Sequence, residues 1–146
     1  MSKRRTLIKA LLTLTLFLCA IGTNAENQNG KSWETLIKAI SAVESGNNPK
    51  AVNGQHAGLL QISPVCVREC NNIAGYKKYT YNDRFSAEKS IEMFELIQSK
   101  YNPGRDIERA ARLWNGGMGG VLHPKRTDRY YRAVKKKMNQ LSAERD

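Results

Sequence analysis

Glu44 is the residue whose type and setting most directly point to chemistry. It follows Trp33, Leu36, Ile37, Ile40 and Val43, which recur at the spacing of one buried helix face. Glu44 stands eleven places after Trp33, seven after Ile37 and four after Ile40, so it projects from that same apolar stripe. A carboxyl there must be paired, hydrogen-bonded or partly desolvated, and desolvation raises its pKa. Gly46, Asn47, Asn48 and Pro49 then predict the end of the helix, which puts the acid where a cleft can open. A protonated carboxyl in such a place is what general-acid cleavage of a glycosidic bond requires. The same placement also suits a Glu that only caps or bridges core elements.

The elements that must hold this acid are mostly helical. Ser32 is an N-cap for the first helix, with Glu34 in its first turn. Residues 47–56 lack apolar periodicity and read as loop; 57–62 is short and apolar, with Gly58 allowing a close backbone approach. Ser63-Pro64 predicts a cap and first position for a second helix, to about Asn71. A loop follows to Arg84, in which Tyr76, Tyr79 and Tyr81 either stack on a ligand or join the core. Ser86 caps a third helix to about Lys100, with Ile91, Phe94, Ile97 and Tyr101 inward, and Asn102-Pro103-Gly104 ends it. Asp106 starts a fourth helix whose inner face carries Ile107, Ala110, Ala111 and Trp114, closed by Gly116-Gly117. Residues 118–125 read as loop, and Thr127 caps a last helix with Tyr131, Val134, Met138 and Leu141 inward. The pattern predicts a mainly α, single domain of about five helices without internal repeats.

Length and charge narrow the setting. The 146 residues suit one domain. Lys3, Arg4 and Arg5, the apolar run 11–20 and Thr23-Asn24-Ala25 form the pattern of a secretory signal over residues 1–25. Residues 26–31 then read as a polar, flexible leader and 32–146 as the folded domain. The apolar run is too short for a stable membrane span. Cys19 offers an alternative as a lipidated N-terminus, although Leu18 is bulky beside it. Without the signal's four basic residues the formal charge falls from +11 to +7. A basic exported chain meets anionic envelope polymers, and no nucleic-acid motif is present.

Cys66 and Cys70 remain after export. An even pair in an exported chain points to a disulfide, and four-residue spacing puts both on neighbouring turns of one helix. Two free thiols are the other reading. A catalytic thiol would need His56 or His123 as its base, and the spacing supplies no further metal ligands.

Taken together, Glu44-Ser45-Gly46-Asn47-Asn48-Pro49 and Ala57-Gly58-Leu59-Leu60-Gln61-Ile62-Ser63-Pro64 resemble the first two motifs of the lytic transglycosylases. Asn47 replaces a Gly and Leu60 a Met of those motifs. Ala111 to Gly117 approximates the third motif, with Trp114 in place of Tyr. Thr127 and Tyr130 half match the fourth, with Arg126 in place of an acid. The resemblance runs from about Trp33 to Met138. It implies a lysozyme-like fold with a small hairpin-like flap, peptidoglycan as substrate and no metal or organic cofactor. It also implies Glu44 as the single acid and base, cleaving the MurNAc–GlcNAc bond and closing a 1,6-anhydro ring. Ser45, Gln61, Asn115 and Tyr130 match positions that contact substrate, and Leu59 and Leu60 would either floor the saccharide site or just pack. A hydrolytic muramidase with a second carboxylate, for which Glu69, Asp83 and Asp106 are candidates, is the nearer alternative. A non-catalytic wall-binding module is the more distant one. By analogy the chain would open the wall for a secretion, conjugation or phage apparatus.

Overall fold

The computed structural model describes residues 30–145. The signal segment, Cys19 and residues 26–29 lie outside them. The chain divides into compact units between Glu34 and Thr35, and only residues 30–34, which are helical, are described of the first. Those residues open helix α1, helical over 30–45. Ser32 is therefore inside the helix and not its cap, because the helix is already under way at Gly30. Leu36, Ala39 and Ile40 are fully buried, while Ile37 and Val43 form the half-buried margins of the stripe.

Gly46 and Asn47 end α1 in left-handed conformations, φ 63° and 65°, and their N–H groups turn back to Ala42 and Ser41. Among residues with a side chain, Asn is one of those that best tolerate this region, which accounts for Asn47 standing where the motif has Gly. A two-stranded hairpin follows, β1 (Val52–Asn53) and β2 (His56–Ala57), antiparallel with Val52 opposite Ala57. An Ala57–Ile62 bridge folds the next segment back on it.

Ser63 caps α2 (Pro64–Ala74) by accepting from the Cys66 N–H, and Pro64 occupies the first turn. The helix runs past Asn71 to a left-handed Gly75, φ 79°. A 3₁₀ turn (Tyr81–Phe85) leads into α3 (Ala87–Tyr101), capped by Ser86. Its buried face is Ser90, Met93, Phe94, Ile97 and Gln98, so Ile91 and Tyr101 sit at the margin and not in the core. Of the three loop tyrosines Tyr79 is core, and Tyr76 and Tyr81 are exposed.

Asp106 caps α4 (Ile107–Leu122) by accepting from the Arg109 N–H. Gly117 breaks α4 with φ 59° and ψ −158°, but the chain resumes helix, where the sequence predicted a loop. A second 3₁₀ turn (Pro124–Thr127) precedes α5 (Asp128–Ala143). Thr127 stands at the cap position without capping, since its hydroxyl lies within reach of the Gly120 and Pro124 carbonyls. Of the expected α5 face only Val134 is fully buried; Tyr131, Met138 and Leu141 are half-buried. Helix α3 packs on α2 and α4, and α4 on α5. Among the described residues the fold is thus mostly helical, five helices with one small hairpin, as expected of a lysozyme-like domain.

Candidate active site

The end of α1 and the segment after the hairpin are fastened together. Ser45 Oγ donates to the Leu59 carbonyl at 2.7 Å and accepts from the Asn48 N–H at 3.1 Å. The Gly58 N–H reaches the Ala51 carbonyl at 2.8 Å. Gly58 has φ 81°, and a β-carbon there would fall on the Arg84 carbonyl. Arg84 in turn donates to the carbonyls of Gln55 at 2.9 Å and Ile62 at 3.2 Å. One guanidinium from the 3₁₀ turn therefore holds the hairpin and the segment at Ile62 together.

A cavity of ≈ 220 Å³ opens beside this fastening, lined by Glu44, His56, Gln61, Ile62, Ser63, Cys66, Trp114 and Asn115. Among the described residues Glu44 is its one carboxyl. Tyr130, brought in from α5, donates its hydroxyl to Glu44 Oε1 at 2.7 Å. Among the described residues that is the carboxyl's hydrogen bond, so Oε2 remains for a ligand. Burial raises the Glu44 pKa above the ordinary carboxyl value, opposed by the Tyr130 bond and by the charge of His56. Burial next to the Glu44 charge pushes the Tyr130 phenol far upward, so it stays a donor.

The other expected contact residues divide. Gln61 lines the cavity with a left-handed φ of 49°, and its amide donates to Ala51 and Gly58 carbonyls. Both amide protons are thus spent on the loop, which leaves Oε1 to a ligand. Asn115 lies exposed at the rim, at the end of the regular part of α4. Trp114 also lines the cavity, braced edge-on against Phe94 at 5.0 Å and donating Nε1–H to the Leu60 carbonyl. Ser45 and Leu60 are not in the lining. Ser45 is a fastener of the loop, and Leu60 is wholly buried and packs.

Besides Trp114, which the sequence placed on the inner face of the fourth helix, four lining residues were not singled out as contacts by the sequence: His56, Ile62, Ser63 and Cys66. Their nearness to the Ala57–Pro64 motif is the signal that would have found them. Cys66 and Cys70 are free thiols, not the expected bridge. One turn of regular helix keeps their β-carbons about 5–6 Å apart, beyond the reach of an S–S bond.

The candidate second carboxylates are committed elsewhere. Glu69 accepts from Tyr101 Oη at 2.6 Å and Lys100 Nζ at 3.0 Å. Asp83 caps the first 3₁₀ turn through the Thr80 N–H and hydroxyl, and Asp106 caps α4. None of the three lines the cavity.

Residues 22–138 match the sequence profile of the transglycosylase SLT domain, which covers most of the chain. The chain belongs to the transglycosylase SLT domain family. Comparison with curated proteins and with solved structures returned no match. At the level of the family, the activity is lytic transglycosylation and the substrate peptidoglycan. In this SLT domain the motif that begins with Glu44 and the motif that contains Gln61 meet at one cavity, and Tyr130 closes on the acid from the last helix.

Proposed function

We propose that this SLT domain cleaves the β-1,4 bond between N-acetylmuramic acid and N-acetylglucosamine with Glu44 as its single acid and base, leaving a 1,6-anhydro-muramic end. The observation that carries this reading is a lone, half-desolvated carboxyl in a cavity, with one oxygen held by Tyr130 and the other open. Desolvation favours the acid form, which donates Oε2–H to the glycosidic oxygen as the bond breaks. The carboxylate that results is stabilised by the hydrogen bond from the Tyr130 hydroxyl. It then takes the proton of the muramic C6 hydroxyl while O6 closes on C1, which returns Glu44 to its starting state. Opposed influences on one group suit it to both roles. A water-using mechanism needs a second carboxylate to hold the water, and among the described residues no other carboxyl lines the cavity.

We propose that the work is done in the cell envelope, a reading supported by peptidoglycan as the family's substrate and by the export pattern of residues 1–25. The test is mass spectrometry of muropeptides released from purified peptidoglycan by the parent and by Glu44→Gln. Anhydro-muramic products from the parent alone support the reading. Reducing muramic ends would replace it with a hydrolase, and equal products from both proteins would remove Glu44 from the chemistry.

A further inference from the structure

The saccharide cavity contains a group that the proposed reaction does not use. Cys66 lies in its wall, half-buried, in the first turn of α2. That position exposes its sulfur to the positive end of the helix, and the turn carries no acidic residue. One turn behind stands Cys70, fully buried, with its Sγ 3.6 Å from the Met93 carbonyl. The single S–H of Cys70 points to the Met93 carbonyl, and Cys66 is its i, i+4 neighbour on the same face of α2. When Cys66 ionises, that S–H can turn from the carbonyl to the new thiolate. The bond draws the Cys66 thiol below its ordinary pKa, against burial and the Glu69 carboxylate. Cys70 is driven the other way by the same bond and by burial, so it stays protonated.

We infer that Cys66 and Cys70 form a thiol-modification site opening into the saccharide cavity, where Cys66 is the reacting sulfur and Cys70 its hydrogen-bond donor. The chemical class it takes is a small aliphatic disulfide, such as those of cysteine or glutathione. The Cys66 thiolate attacks one sulfur of the reagent, the S–S bond breaks, and the departing thiolate takes a proton from water. Cys66 is left as a mixed disulfide. Because the intact helix holds Cys70 too far for an S–S bond, Cys70 does not displace the adduct. The adduct fills the space beside Glu44 and stays until an external thiol removes it. The chemistry stands by itself, and its effect on cleavage rests on the function proposed above.

The experiment treats the reduced full chain with glutathione disulfide and maps adducts by peptide mass spectrometry, with muropeptide release assayed before and after. Of Cys66 and Cys70, only Cys66 is expected to carry an adduct, with release lost and then restored by dithiothreitol; an adduct on Cys19 is mapped apart from these two. Cys66→Ser should take no adduct at Cys70, and its release, at whatever level, should not change on treatment. Cys70→Ala should slow adduct formation roughly three- to tenfold, and Cys70→Ser, which restores a donor, should recover it. A first adduct on Cys70, closure of a Cys66–Cys70 bridge, no adduct, or Cys70→Ala reacting at the parent rate would each overturn the inference. Full release from the adducted protein would overturn its placement in the substrate path. If the reduced parent released nothing, the proposed function would fall while the adduct map still decided the thiol chemistry.

Discussion

Tyr130 and Glu44, 86 residues apart in the chain, meet at 2.7 Å through one hydrogen bond. The bond fixes which carboxyl oxygen faces the cavity, and it stabilises the charged form against the burial that disfavours it. Tyr130→Phe removes both effects. Its kcat/KM for muropeptide release should fall about tenfold to a hundredfold, the worth of a hydrogen bond to a charged group. The sign of the pH effect is separate from the loss of rate. Without the donor the Glu44 pKa rises further, so the alkaline limb of the pH–rate profile should move to higher pH. A limb that stayed in place or moved to lower pH would mean that Tyr130 does not act on the carboxyl.

The raised pKa of Glu44 also has a consequence for stability. The folded state binds this proton more tightly than the unfolded chain does, so stability is greatest while both states are protonated. It falls as pH rises from the unfolded pKa through the higher folded one, and stays reduced above it. Glu44→Gln removes the titrating group while keeping an acceptor for Tyr130. The variant should match the parent in acid and exceed it at neutral pH, by roughly 1.4 kcal/mol for each unit separating the two pKa values. Urea unfolding of both proteins across the acid-to-neutral range measures this directly. An inactive variant that is also less stable at neutral pH would contradict the desolvation of Glu44.

What could be read from the sequence was local. The apolar stripe through Glu44, the Ser63, Ser86 and Asp106 caps and the stop at Gly46-Asn47 are each specified within a turn or two of chain. The cavity's other walls are not. His56 in β2 and Cys66 in α2 both line it, and no periodicity marks either. Glu69 lies outside the cavity lining and is held by Tyr101, 32 residues away, a pairing visible only in three dimensions. The break at Gly117 was legible as a glycine signal, but not the helix beyond it. That second stretch exists because Gly116 and Gly120 let the Thr127 methyl approach, with virtual β-carbons there only 2.8 Å from it.

Gly58 is the position in the flap with the least tolerance. A side chain there meets the Arg84 carbonyl, which is backbone and cannot swing aside, and φ is 81°. Gly58→Ala must therefore push the hairpin away from the first 3₁₀ turn, breaking the Arg84 bonds to Gln55 and Ile62. The cost should be about 2–4 kcal/mol, from overpacking and an unfavourable backbone combined. Gly54→Ala, in open space at a similar φ of 58°, bears the backbone part alone and should cost about 1 kcal/mol. Denaturant midpoints for the pair separate the two contributions. Equal losses would mean that the close approach to Arg84 contributes nothing.

Arg112 does for Tyr130 what Arg84 does for the flap. Its guanidinium is buried, donating to the Pro124 carbonyl at 2.6 Å, Thr127 Oγ1 at 3.0 Å, Glu108 at 2.8 Å and Asp128 at 2.8 Å. It also lies against the Tyr131 ring at 4.8 Å. Both carboxylates are about half exposed, 50% and 46%, and water would take over their bonds, so the ion pairs themselves contribute little. The weight falls on the bonds at Pro124 and Thr127, which shape the turn into α5. Arg112→Met should cost about 2–3 kcal/mol, and Arg112→Lys little less, since an ammonium cannot span four acceptors. The second effect is on chemistry. A loosened turn moves Tyr130 relative to Glu44, so kcat should fall in both variants with the alkaline limb shifted upward, as in Tyr130→Phe. If activity per folded molecule stayed at the parent level, the turn would be structural only and would not set the distance between Tyr130 and Glu44.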